Sequence, residues 1–218
     1  NYLIIKRAAF PIRSPSQGDP DYDPLHTIPV AKILGGYRSR SRAFRPPSII
    51  NVSAMSFGSL SGNAIHALNS GSCLAGCLHN TGEGGVSPYH LQGGDLIWQI
   101  GTGYFGCRDE QGRFSLDHLV ETTQQHRSIR AIEIKLSQGA KPGLGGILPA
   151  AKITPEISRI RGIPMGEDCI SPSVHTAFND ADSMLDFVEH VAEATGLPVG
   201  IKSAVGEMDL WHDLARLT

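Results

Sequence analysis

Apolar strand-like runs alternate with helical patterns from residue 47 onward, and this alternation restricts the fold more than any other feature of the chain. "SIINVSAM" (48–55), "LAGCLHN" (74–80), "AIEIKLS" (131–137) and "LPVGIKSA" (197–204) read as four strands. Helical segments lie between them, at about 61–70, at about 116–126, in "TPEISRIR" and in "DADSMLDFVEHVAEATG". In the last of these Met184, Phe187, Val188, Val191 and Ala192 line one face at helical spacing, and Gly196 closes the end. Thr154 and Pro155 suit the start of the shorter one. "LIWQIGTGYFG" (96–106) reads as an inserted short strand or hairpin, and "MDLWHDLARL" begins another helix. Near-continuous apolar strands separated by helices form a parallel sheet covered by helices, as a barrel or as a doubly wound sheet. Residues 1–46, with "PIRSPSQGDPDYDP", read as an irregular N-terminal segment.

Composition narrows the function. A chain of 218 residues that is 40% hydrophobic is long enough for one large domain with its own core. A formal charge of -2 lacks the concentrated basic face that duplex binding needs. The densest basic stretch, "YRSRSRAFR", reads as a solvated arm. No run approaches the roughly 20 apolar residues of a membrane helix, so no membrane or nucleic-acid partner is expected, and the location expected is cytoplasmic. Cys73, Cys77, Cys107 and Cys169 lack a second suitably spaced pair for a four-thiolate site. Buried reduced thiols, and no metal, are expected.

The chemistry-bearing residues follow the strands. The 25 glycines collect in "NTGEGG", "GTGYFG" and "GAKPGLGG", where backbone can approach a ligand or take positive φ. Such clusters at strand C-termini are where both parallel architectures build their sites. Glu83 lies among glycines and reads either as a solvated turn acid or as a site group. Lys135 in "IEIKLS" and Lys202 in "PVGIKSAVG" must snorkel or meet an anion. A shared anionic ligand is one reading, with Gln138 and Lys141 as a donor-rich loop beside it. The other is an ion pair of Lys135 with Glu133 or a further acid.

"VSAMSFGSLS", "HNTGEGGVSPYHL", "IWQIGTGYFGCR", "IEIKLSQGAKPGLGGILPAAKITPEISRIRGIP" and "DCISPSVHTAF" together closely resemble the flavin-binding synthase domain of the glutamate synthases. The resemblance runs from about Ser48 to Gly206, and "IWQIGTGYFGCR" is more similar to the short stand-alone members. It implies a (β/α)8 TIM barrel that holds FMN and reduces 2-iminoglutarate, formed from 2-oxoglutarate and ammonia, to L-glutamate. It places Ser53, Ala54, Met55 and Ser56 against the flavin ring, largely through backbone groups. Gln99 and Lys202 would contact the flavin, with Lys202 at its N1–O2 edge, where a cation favours the reduced anionic ring. Glu83, Lys135, Gln138, Lys141 and Arg161 would surround the 2-oxoglutarate, and Glu83 and Lys202 would carry catalytic roles. NAD(P)H, ferredoxin or a partner flavoprotein would supply electrons.

The chain departs from the large members of that family. It opens "NYLI", without the cysteine nucleophile of an amidotransferase domain, and lacks their later cysteine triplet for an iron–sulfur cluster. Only about four β/α units are counted in 47–218, the N-terminal half of a barrel that typically takes about 250 residues. A segment of a longer protein is expected. The alternatives are a natural half barrel that pairs with a second half or another copy, and a truncated non-catalytic half barrel that binds a dicarboxylate or a partner chain. An FMN oxidoreductase acting on another amino or keto acid is a further reading.

Overall fold

The computed structural model describes residues 32–137, 145–204, 206 and 208–217, together with 18 and 20. The first helix, α1 (Gly62–Ala75), begins where the Ser61 hydroxyl accepts from the Ala64 amide and ends where Gly76 turns left-handed. It runs five residues past Ser70 and takes up Leu74 and Ala75, which the sequence assigns to a strand. That strand reduces to β1 (His79–Asn80). Next come β2 (Leu96–Ile100), α2 (Leu116–Gln125) and β3 (Ile129–Lys135). A two-stranded antiparallel ribbon, β4 (Ile147–Leu148) with β5 (Cys169–Ile170), encloses the short α3 (Pro155–Arg161). The chain continues through α4 (Ala181–Thr195), β6 (Val199–Lys202) and α5 (Met208–Leu217).

The main sheet has four strands in the order β1-β2-β3-β6, every pair parallel. Leu96–Ile100 is therefore a central strand and not an insertion or hairpin. The segment expected as the first strand, 48–55, joins the free side of β1 through a parallel bridge at Val52, not as a regular strand. Three backbone bonds hold it there, Val52 N–H to Leu78 O, Asn80 N–H to Val52 O and Met55 N–H to Asn80 O. Ile49 and Ile50 stay exposed. The caps read from sequence are present: Thr154 accepts from the Ile157 amide, and Gly196 ends α4 with φ 71°.

Register divides the sheet into two chemically different faces, because successive strand residues point to opposite sides. On one face Trp98, Ile100, Ile132 and Ile134 pack with Leu119 of α2 and with Phe187 and Val191 of α4. On the other, Phe44, Leu78 and Ala131 form a small apolar floor. Above that floor the same rows carry Asn80, Gln99, Glu133 and Lys135.

Phe44 brings the basic stretch with it, and "YRSRSRAFR" is not a solvated arm. Arg42 donates to Ile129 O at 3.0 Å and to Thr123 O at 3.4 Å, Arg40 pairs with Glu189, and Phe44 is buried under the Arg130 guanidinium. The cysteines differ too. Cys107 and Cys169 are buried, Cys77 is half-buried and Cys73 is exposed.

Candidate active site at the strand C-termini

Lys135 and Lys202 are the last residues of β3 and β6, and they are register partners across the parallel ladder. Partners in register point to the same face, so both ammonium groups stand at one edge of the polar face. One row below, Gln99 is paired with Glu133 and Glu133 with Gly200. The glycine leaves the row open there: a Cβ at Gly200 would meet nothing within 4 Å.

Glu83, in the loop after β1, meets Lys135 at 3.3 Å, with side-chain exposures of 20% and 11% respectively. The acid partner of Lys135 is thus Glu83 and not Glu133. Glycines make that approach possible: a Cβ at Gly101 would lie 2.6 Å from the Glu83 carboxylate, and one at Gly84 3.0 Å from Arg161 Nη2. Arg161, buried on α3, donates to Phe57 O at 3.1 Å and lies over the Phe105 ring. Its Nε is buried without a partner among the described residues. Ser56, Glu83 and Arg161 line one cavity of about 60 Å³ with Ser171 and Cys169. Gln138 and Lys141 lie outside the described residues.

Ser53 is exposed, and Ala54 and Met55 are half-buried. The Met55 amide already donates to Asn80 O at 3.1 Å, and its carbonyl accepts from His90. Both Met55 main-chain groups thus bond within the protein, and the carbonyl oxygen has a second lone pair.

Asn80, His90 and His175 join the site without a local signal in the sequence, and Glu133 joins it too, which the sequence offers only as an ion-pair partner for Lys135. Glu133 Oε1 accepts from Asn80 Nδ2 at 2.8 Å and from Gln99 Nε2. The i, i+2 alternation of Glu133 and Lys135 on a strand is the signal that puts both on one face. His90 and His175 are buried clamps whose tautomers follow from their partners. The Ser87 amide donates to His90 Nδ1 at 3.1 Å, so Nε2–H donates to Met55 O at 3.0 Å. His175 Nε2–H donates to Lys135 O at 2.8 Å. Its Nδ1 accepts from the Tyr104 hydroxyl at 3.0 Å, whose oxygen in turn accepts from the Thr176 and Ala177 amides. Tyr104 holds φ 50°, an uncommon conformation for a non-glycine residue.

Burial lowers the pKa of both clamps. It also brings that of His79 down to about 4, aided by the charge His90 would carry. These rings are neutral in the folded protein and take up protons more readily once unfolded. Between pH 6.5 and about 4 the unfolded state binds more protons, so stability falls with decreasing pH. A urea midpoint measured at pH 5 should accordingly lie below that at pH 7. Equal midpoints would mean that the rings are charged in the fold.

A larger cavity, of about 600 Å³, lies elsewhere, between α4, β6 and α5. Leu185, Val188, Val199, Ile201, Trp211 and Leu214 line most of it, and its charged members, Arg38 and Glu189, face each other at 4.0 Å. Among the described residues no group of three or more His, Cys, Asp and Glu is placed to hold a metal. No helix among them is long and apolar enough to cross a membrane.

Comparison with known proteins gives a consistent result. Residues 38–212 match the model of the conserved region in glutamate synthase. The glutamate synthase large subunit-like protein YerD of Bacillus subtilis is 39% identical over 194 residues, which are 88% of this chain and 37% of that protein. An archaeal-type glutamate synthase (NADPH) of Thermotoga sp. strain RQ2 is 39% identical over 155 residues, 69% of this chain and 28% of the relative. The archaeal glutamate synthase (NADPH) of Methanocaldococcus jannaschii is 37% identical over 71% of this chain and 28% of its own length. The chain thus spans between a quarter and two fifths of these relatives.

Proposed function

The chain belongs to the family defined by the conserved region of glutamate synthase, and from that premise we propose that its polar sheet face is part of an FMN site. There 2-iminoglutarate, formed from 2-oxoglutarate and ammonia, is reduced to L-glutamate. Residues 47–218 make up the N-terminal half of a (β/α)8 barrel, and the strand edge beyond β6 receives the other half. NADPH, the donor in the names of two relatives, is the proposed source of electrons, and the reaction takes place in the cytoplasm.

The observation that carries this reading is the in-register pair Lys135 and Lys202, with Glu83 turned onto Lys135. Two cations and an acid at strand ends, beside a buried arginine, suit a small dicarboxylate in a partly dry pocket. The same face fits a flat heterocycle. Gln99 is almost fully buried and its amide oxygen accepts no hydrogen bond among the described residues. Gly200 leaves room beside it. FMN, when bound, supplies the hydride chemistry that converts an imine to an amine. Lys202 offsets negative charge at the pyrimidine edge of the ring. Lys135 and Arg161 hold the substrate carboxylates, and Glu83 positions the nitrogen and its proton through its own carboxylate oxygens.

Lys202→Ala should weaken FMN binding about tenfold, the order of one charge-assisted contact. Fluorescence quenching of FMN on titration with protein reads this directly. Unchanged affinity would remove Lys202 from the ring. Glutamate formed from 2-oxoglutarate, ammonia and reduced FMN supports the synthase reaction. A flavoprotein that instead reduces a different keto-acid imine would be an oxidoreductase of another specificity, and a colourless 2-oxoglutarate binder would be a non-catalytic module.

A further inference from the structure

We infer that Glu133 is a positioning residue that fixes the polarity of the Gln99 amide, so that the site offers its ligand a hydrogen-bond acceptor and selects a ring imide N–H. This rests on the reading of the polar face as a flavin site. An ionised carboxylate only accepts hydrogen bonds, so any amide bonded to it must present its NH2 group. Asn80 and Gln99 both do so, at the same Glu133 oxygen. The far end of Asn80 is also committed, because its Oδ1 accepts from the Gly82 amide at 3.0 Å. The Gln99 main-chain amide donates to Thr81 Oγ1 at 3.1 Å, which fixes where the side chain starts. Its oxygen is then the group left over.

Gln99 itself lies in the same row as the side-chain-free Gly200 and one row below Lys135 and Lys202. A matching ligand brings an N–H donor to Gln99 and electron-rich oxygens or nitrogens to the lysines. A heterocyclic imide, an N–H between two carbonyls, has that arrangement, with an acceptor on either side of the donor; a heterocycle edge that presents acceptors alone does not. Glu133 touches neither ligand nor reacting atom in this account and acts through Gln99.

The test uses FMN labelled with 15N at N3, bound to the whole barrel that contains this chain, as wild type, Glu133→Gln and Glu133→Met. Glutamine at 133 keeps the polarity, because Asn80, held by Gly82, can only donate to it and so calls for its carbonyl oxygen. Methionine removes the acceptor. Wild type and Glu133→Gln should bind FMN with the N3–H protected from solvent exchange. Glu133→Met should bind it about tenfold or more weakly, with faster exchange. Glu133→Met with wild-type affinity and exchange would overturn the role of Glu133 and leave the flavin site standing. An unprotected N3–H in the wild-type complex would overturn the inference even if Glu133→Met does not fold. Failure of wild type to bind FMN would instead overturn the flavin reading, and this inference with it.

Discussion

If the polar face is the proposed synthase site, Lys135→Met should lower kcat/KM for 2-oxoglutarate about a hundredfold, the expected cost of removing one member of a desolvated charge contact. FMN occupancy falls far less. Lys135 is tied from both ends: its ammonium meets Glu83 at 3.3 Å and its carbonyl accepts from His175 at 2.8 Å. The substitution therefore removes a cation and costs the Glu83 carboxylate, largely shielded from water, its contact with that ammonium. Losing one member of a fully enclosed ion pair costs about 3–5 kcal/mol, and less here, where Glu83 is 20% exposed. Stability and catalysis would thus change together in the single variant. The double variant Glu83→Gln, Lys135→Met reads the stability part alone. It should regain much of the lost stability, but because Glu83 itself belongs to the proposed site it does not report on turnover. The kcat/KM of Lys135→Met, assayed under conditions where the variant is fully folded, reads the catalytic part, and a wild-type value there would make Lys135 a structural lysine.

Trp98→Ala should destabilise the protein by about 3–5 kcal/mol, as large-to-small changes at a fully buried aromatic do. Trp98 sits at the middle of β2, fully buried, on the face that packs against the helices. Its neighbours Ile100, Ile132, Ile134 and Leu119 belong to elements that cannot all move in to fill the space. Denaturant unfolding reads the loss. A cost below about 1 kcal/mol would mean that β2 is the peripheral insertion suggested by its sequence, and not a central strand.

That contrast shows what the sequence carries and what it does not. The caps at Thr154 and Gly196 and the buried face of α4 are local signals, and each is realised; the alternation of elements holds except at 48–55, which forms a bridge and not a strand. The placement of "LIWQI" is not local. A short apolar run reads alike as an insertion or as a sheet centre, and only pairing with β1 and β3 decides. The basic stretch fails for the same reason: Arg40 and Arg42 find Glu189, Thr123 and Ile129, all far along the chain. At the site, Lys135 and Lys202 stood out because lysines on apolar strands are costly, and Glu83 because glycines flank it. Asn80, Glu133, His90 and His175 carry no such local anomaly. Their roles arise from register and from loops that fold back, which a single chain of letters does not contain.

The central claim is that a flat redox ring and a dicarboxylate share the polar face at the C-terminal ends of β3 and β6. A crystal structure of the protein with FMN and 2-oxoglutarate tests it most directly. The ammonium groups of Lys135 and Lys202 should each lie within about 4 Å of a ligand oxygen or nitrogen, the range of a direct ion pair. Ligands seated in the apolar cavity between α4, β6 and α5, with both lysines turned away from them, would contradict the claim.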